Sequence, residues 1–208
     1  MDPVLIRAGL AMTHALDDRF GQPRKGVLSQ RDVPGLTRAL IPILASGGVS
    51  GISIGAHEDT KHKADVPPCF VWRDPASNQS VIVLYTTGYG SLPVKNEQVC
   101  IVDGVALVYN WDGDNHGPSD ASGYAGVWQS LGQSFPNATH IYASTLDNFT
   151  QYLQTVESSL LTVDQEIADD WIYGQWAHTH THTHTEAHYV WTIHVFCCWW
   201  GRCRFRSA

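Results

Sequence analysis

An α/β fold with a largely parallel sheet is what this sequence predicts, and three observations carry that reading. Short apolar runs alternate with stretches of helical periodicity through most of the chain. Several of those runs, VSGISIG at 49–55 among them, are apolar on both faces, as a strand covered by helices on each side must be. No internal repeat at a fixed period breaks this order.

The first helix is expected over residues 4–19, where Leu5, Ile6, Leu10, Ala15 and Leu16 recur at helical spacing and Gly21-Gln-Pro23 ends it. A short strand follows at Gly26–Ser29. Pro34 suits the first turn of a helix carrying Leu36, Leu40, Ile41 and Leu44, with Pro42 awkward inside it. Gly47-Gly48 closes that helix, and Val49–Gly55 reads as a buried strand. After a polar loop at 56–67, Cys69–Arg73 and Val81–Thr86 flank Asp74-Pro-Ala-Ser-Asn78 as a hairpin. Val105–Tyr109 is a further strand, followed by the turn-rich WDGDNHGPSD. A helix at 120–133, a strand at 139–143, a helix at 146–160 and a strand at 161–166 complete the order. Ser144-Thr145 with Asp147 supplies the cap of the helix that begins at 146.

Composition bounds the partners. The chain has 208 residues, 43% apolar and 11% aromatic, which gives a real core and excludes disorder and coiled coil. A net charge of −7 argues against nucleic acid or an anionic membrane surface as the main partner. No apolar run approaches the ~20 residues that span a bilayer, and Met1-Asp2-Pro3 opens no visible signal peptide.

The composition changes abruptly near Ala177, which divides the chain into a body, 1–176, and a tail, 177–208. The tail holds His178, His180, His182, His184, His188 and His194, and its charge is opposite in sign to that of the body. Alternate histidines on a strand share a face and suit Zn, Ni or Cu, whereas purification tags use consecutive histidines. A CA dinucleotide repeat read in one frame also encodes His-Thr, and the tail is expected to be such a read-through that does not pack with the body. Cys69 and Cys100 then remain as the body's cysteines. They lie in no metal spacing, and small buried hydrophobes is the expectation for both.

In α/β folds the chemistry gathers at the C-terminal ends of the strands. That rule selects Arg31-Asp32-Val33-Pro34-Gly35, then Asp112 to Pro118 with Asp114, Asn115 and His116, then Glu166 to Gly174 with Asp169, Trp171 and Tyr173. Carboxylates beside aromatic faces are what a sugar needs, since its CH-rich face stacks on rings while its hydroxyls seek acceptors. The plainer alternative is that Asp32 caps a helix and the 112–118 run is a solvated turn.

The blocks RDVPGLTRALIPILASGGV (31–49), VPPCFVWRDP (66–75), GDNHGP (113–118), ASTLDNF (143–149) and EIADDWIYG (166–174) resemble, in that order, a family whose domain has no assigned function. That family is related to the family-38 glycoside hydrolases, the α-mannosidases, within the glycoside hydrolase/deacetylase β/α-barrel superfamily. The resemblance covers roughly residues 5–174. It implies an incomplete β/α barrel, a carbohydrate substrate and a zinc-dependent, retaining hydrolase. Asp32, in Asp-Val-Pro-Gly-Leu, is similar to the Asp that is both nucleophile and metal ligand in the family's Asp-Pro-Phe-Gly-His; the motif's His is Leu36 here. Asp114 is similar to the acid/base carboxylate. Asn115, His116, Glu166, Asp169, Trp171 and Tyr173 would bind the sugar. The superfamily's His-x-Asp metal pair should precede Asp32, but only His14-Ala-Leu-Asp17 lies there, and His57-Glu58-Asp59 comes too late. The resemblance thus implies a chain that begins inside the barrel, silent as it stands and prone to self-association through exposed sheet edges. A polysaccharide deacetylase on the same barrel and a non-catalytic carbohydrate-binding remnant are the alternatives.

Overall fold

The computed structural model describes residues 2–32, 36–56, 64–88, 99–110, 120–167 and 191–197; Asp32, Thr87 and 191–197 are described through the backbone alone. The chain opens on helix α1, Pro3–Arg19, because Asp2 accepts a hydrogen bond from the Val4 N–H and Pro3 pre-sets the first turn. It stops at Gly21, whose φ of 59° few other residues tolerate. Ile6 and Leu10 lean on the core, while Val4, Leu5, Met12, Leu16 and Phe20 stay exposed.

Three strands run parallel: β1 (Val27–Asp32), β2 (Gly51–Ala56) and β4 (Gln79–Thr87). Between β2 and β4 in sequence comes β3 (Cys69–Asp74), antiparallel to β4 across the expected turn, where Asn78 takes a φ of 55°. The connection from β1 to β2 holds a single 3-10 turn at Arg38–Leu40 and the short helix α2, Ile41–Ser46. Pro42 lies in the first turn of α2, so the residue that looked awkward inside a longer helix is the one that starts a shorter one. Val33, Pro34 and Gly35 lie outside the described residues.

A hairpin then forms from β5 (Cys100–Val102) and β6 (Val105–Asn110), joined at Asp103-Gly104, both with positive φ. Helix α3 (Ala121–Ser134) is capped by Asp120, which accepts from the Gly123 N–H. Strand β7 (Ala138–Ser144) follows, then α4 (Leu146–Thr155), whose cap is the Thr145 hydroxyl accepting from Asn148. Asp147 has a different task from the cap expected of it: its carboxylate accepts from the Gly26 N–H at 2.6 Å and ties α4 to the foot of β1. A two-residue strand, β8 (Thr162–Val163), adds beside β3. The final strand, β9 (Trp191–Cys197), lies in the region expected to stay apart from the body. It sits between β6 and β7, parallel to both. The expectation that the tail does not pack with the sheets therefore fails for 191–197, while the histidine tract before it lies outside the described residues.

Among the described residues the strands form two sheets, ordered β1-β2-β4-β3-β8 and β5-β6-β9-β7. The architecture is mixed α/β, with parallel pairing dominant and antiparallel pairing between β3 and β4 and between β5 and β6. Period-two alternation divides the first sheet's core. Ile52, Ile54, Val81, Val83 and Tyr85 face α2, with Ile41, Leu44 and Trp72. Ile82 and Leu84 face the other way and meet Leu107, Tyr109, Phe149 and Leu153, so β6 and α4 cover that side. α4 approaches closely at Gly51, where a Cβ would stand 2.8 Å from the Thr150 methyl. Cys69 and Cys100 are not free thiols but a disulfide, with Cα atoms 5.4 Å apart, joining β3 of one sheet to β5 of the other. A sequence separation of 31 concealed it, since sequence spacing carries no distance.

At the foot of the first sheet, Arg73 makes a two-pronged ion pair with Asp164 at 3.0 and 2.8 Å, and Arg38 approaches Asp74 at 3.6 Å. The Ser77 hydrogen bond, then Arg38, hold Asp74 below the ordinary carboxylate value; the bonds from Arg73, then its charge, do the same for Asp164. Lowered folded values mean that this stabilisation is complete above the ordinary carboxylate range and fades as pH falls through it. Urea midpoints should therefore drop between about pH 5 and pH 2, and Asp164→Asn should flatten that drop. An unchanged slope in Asp164→Asn would remove this ion pair from the account.

Candidate functional site

A row of hydrogen-bonded polar side chains lies towards the C-terminal ends of the parallel strands, on the face turned towards the second sheet. Pairing register places Arg31 of β1, Gly55 of β2 and Thr86 of β4 in one row. The Arg31 side chain lies along that row, across Gly55. A Cβ on residue 55 would overlap the guanidinium, so the glycine makes the room. Nη1 donates to the Thr86 hydroxyl at 3.2 Å, and Nη2 donates to the Ser53 hydroxyl at 3.0 Å. Ser53 shares a 2.9 Å hydrogen bond with the Tyr109 hydroxyl, and the guanidinium carbon sits 4.4 Å from the centre of the Tyr109 ring. The Thr86 hydroxyl donates onward to the Gly88 carbonyl at 2.9 Å.

Ser53 and Thr86 are 0% and 1% exposed, so water cannot replace their partners, and the row is held rigidly. Arg31 itself is half-buried, and its Nε is buried with no hydrogen-bond partner. Arg24, Lys25, Arg38 and Arg73 each sit against a carboxylate; among the described residues Arg31 does not. One row further on, Asp32 pairs with Ala56 and that residue with Thr87, closing the C-terminal ends of the three strands.

Of the residues expected to form a site, Asp32 is thus placed at this end by its backbone. Tyr109, next to last in β6, reaches Arg31 and Ser53, so the segment holding Asp114, Asn115 and His116 departs from the same end, although those three lie outside the described residues. Asp169, Trp171 and Tyr173 also lie outside them. Glu166 is elsewhere. β8 runs with β3, antiparallel to β4, and Val163 is level with Trp72 and Val81 at the foot of the sheet. That row is six residues, about 20 Å, below the row of Asp32. There the Glu166 carboxylate accepts from the Arg38 N–H at 2.8 Å and the Thr37 hydroxyl at 3.2 Å, which caps the 3-10 turn from outside its own segment. The structure brings the ends of β1 and β6 together and sends the end of β8 to the opposite edge.

Ser53, Thr86 and Tyr109 were not singled out from the sequence. The usable signal was a small polar residue inside two otherwise apolar strands, since a buried hydroxyl needs a partner. Among the described residues no three His, Cys, Asp or Glu lie together. Among those residues no helix is long and apolar enough to cross a membrane. No family model, no curated protein and no solved structure matches the chain.

Proposed function

We propose that this chain is part of a glycoside hydrolase-like, α-mannosidase-like β/α barrel, to which both of its sheets belong, and that it binds carbohydrate at the C-terminal ends of β1, β2, β4 and β6. One observation carries the reading. A rigid row of hydroxyls, a guanidinium and an aromatic ring stands at that end, beside Asp32 and the start of the segment containing Asp114. Sugars are recognised by such groups, with charged and hydroxyl donors for their oxygens and a ring for their carbon face. The order of sequence blocks adds the family, and Asp32 is the carboxylate that the family would use on the anomeric carbon.

A retaining reaction also needs a second carboxyl about 5–5.5 Å from the first. The described residues supply binding groups, and binding without turnover is the activity proposed for this chain. Addition of methyl α-mannoside to the full chain should shift the amide resonances of Ser53, Gly55 and Thr86. Activated aryl α-mannosides, with or without zinc, should not be turned over. Turnover that disappears in Asp32→Asn would overturn the silent part of the proposal. Absence of any sugar-dependent shift would overturn the carbohydrate part.

A further inference from the structure

We propose that Arg31 anchors an oxyanion subsite, and that the carbohydrate taken at this end carries a negative charge, as a sugar carboxylate or a sugar phosphate. The sugar in this statement rests on the carbohydrate reading above; the charge rests on Arg31 alone.

The Arg31 guanidinium brings a positive charge into the space between the two sheets. Taking such a charge out of water is costly unless an anion meets it. The chain has acids to spare, with twenty Asp and Glu against thirteen Lys and Arg; among the described residues four other cations are paired, and Arg7 and Arg19 stand exposed on α1. Among the described residues Arg31 instead has two neutral hydroxyls and an aromatic face. Those partners hold the group without cancelling its charge.

The donor count points the same way. Five N–H bonds radiate from a guanidinium, and the hydroxyls of Thr86 and Ser53 accept two of them. Both Nη atoms thus keep a hydrogen for a further acceptor. Two N–H bonds side by side in one plane match a carboxylate or phosphate edge better than a single alcohol oxygen. Positioning is built in rather than incidental. Gly55 vacates the space that the side chain crosses, Thr86 and Ser53 fix its two prongs, and Tyr109 covers a face. A guanidinium that merely bridged the sheets would not need to remain half-open at the end where ligands enter α/β folds.

The test uses the full chain and four probes: inorganic phosphate, glucuronate, mannose 6-phosphate and methyl α-mannoside. Titration calorimetry should show one of the charged sugars binding about 10- to 100-fold more tightly than the neutral one, as a charge-assisted pair implies. Which of the two it is identifies the source of the charge. Arg31→Gln should abolish that preference, and Arg31→Lys should restore part of it, since a point charge keeps attraction but loses the fork. In the wild-type chain, phosphate should shift the amides of Ser53, Gly55 and Thr86 where equal sodium chloride does not, which keeps the test sound if Arg31→Gln fails to fold. Equal affinity for charged and neutral sugars, or a preference that survives Arg31→Gln, overturns the oxyanion subsite. Phosphate binding through Arg31 with no sugar binding supports the subsite and overturns the carbohydrate reading.

Discussion

Trp72→Ala is expected to lower stability by about 4 kcal/mol, the most that any single core truncation here should cost. Trp72 is the largest of the fully buried side chains, and it stands where β3, β4 and β8 meet below α2. Its removal leaves a cavity that neighbours drawn from three strands cannot close together. It also strands the Gln165 carbonyl, which accepts from the indole N–H at 2.9 Å. Trp72→Phe separates the two parts, because the ring largely fills the space while the carbonyl stays orphaned; about 1–2 kcal/mol should be lost. Urea unfolding with a shared slope measures both. A loss below about 1.5 kcal/mol in Trp72→Ala would mean that this part of the core collapses freely around the gap.

Opening the Cys69–Cys100 bond is the second large effect. Closing a loop of 31 residues restricts the unfolded chain by about 3–4 kcal/mol in the chain-entropy account. The paired substitution to alanine should therefore lower the unfolding free energy obtained from urea titration by that amount. The local consequence is more telling. Cys69 pairs in register with Leu84 and that residue with Ser53, so the bond lies one inward-facing row below Arg31, Gly55 and Thr86. Without it, Tyr109 should hold Arg31 less firmly, and amide exchange at Ser53 and Thr86 should quicken more than at α2. Uniform acceleration across both sheets would show that the bond stabilises the fold without organising this end.

The strands were legible where local pattern suffices. VSGISIG, the Cys69–Thr86 hairpin and the Thr145 cap of α4 follow from apolar runs, turn residues and N-cap chemistry, each confined to a few consecutive positions. β5 was equally local and was passed over, although Asp103-Gly104 between apolar residues is a strong hairpin signal. The row of Arg31, Gly55 and Thr86 is another matter. Its members come from three strands and its cover, Tyr109, from a second sheet, so no window of sequence contains it. Strand-end logic puts Asp32 and the end of β6 at one end of the fold, where Tyr109 meets Arg31 and Ser53. It misplaced Glu166 because β3 turns back on β4 and carries β8 with it, and that reversal is invisible at residue 166.

β9 has a consequence for how the molecule is made. Synthesis proceeds from the N-terminus, and β6 and β7 leave the ribosome long before 191–197. Until then each presents a row of unpaired N–H and C=O groups to whatever is near. The last strand enters as an interior plank rather than an added edge, and its partners lie some 50 to 90 positions upstream. Contacts so distant in sequence form slowly, since the loops that bring them together must be closed first. A nascent chain halted before residue 191 would thus hold a finished first sheet and a second one gaping at its centre, and it is in that interval that a chaperone or a neighbouring nascent chain would find the most to bind.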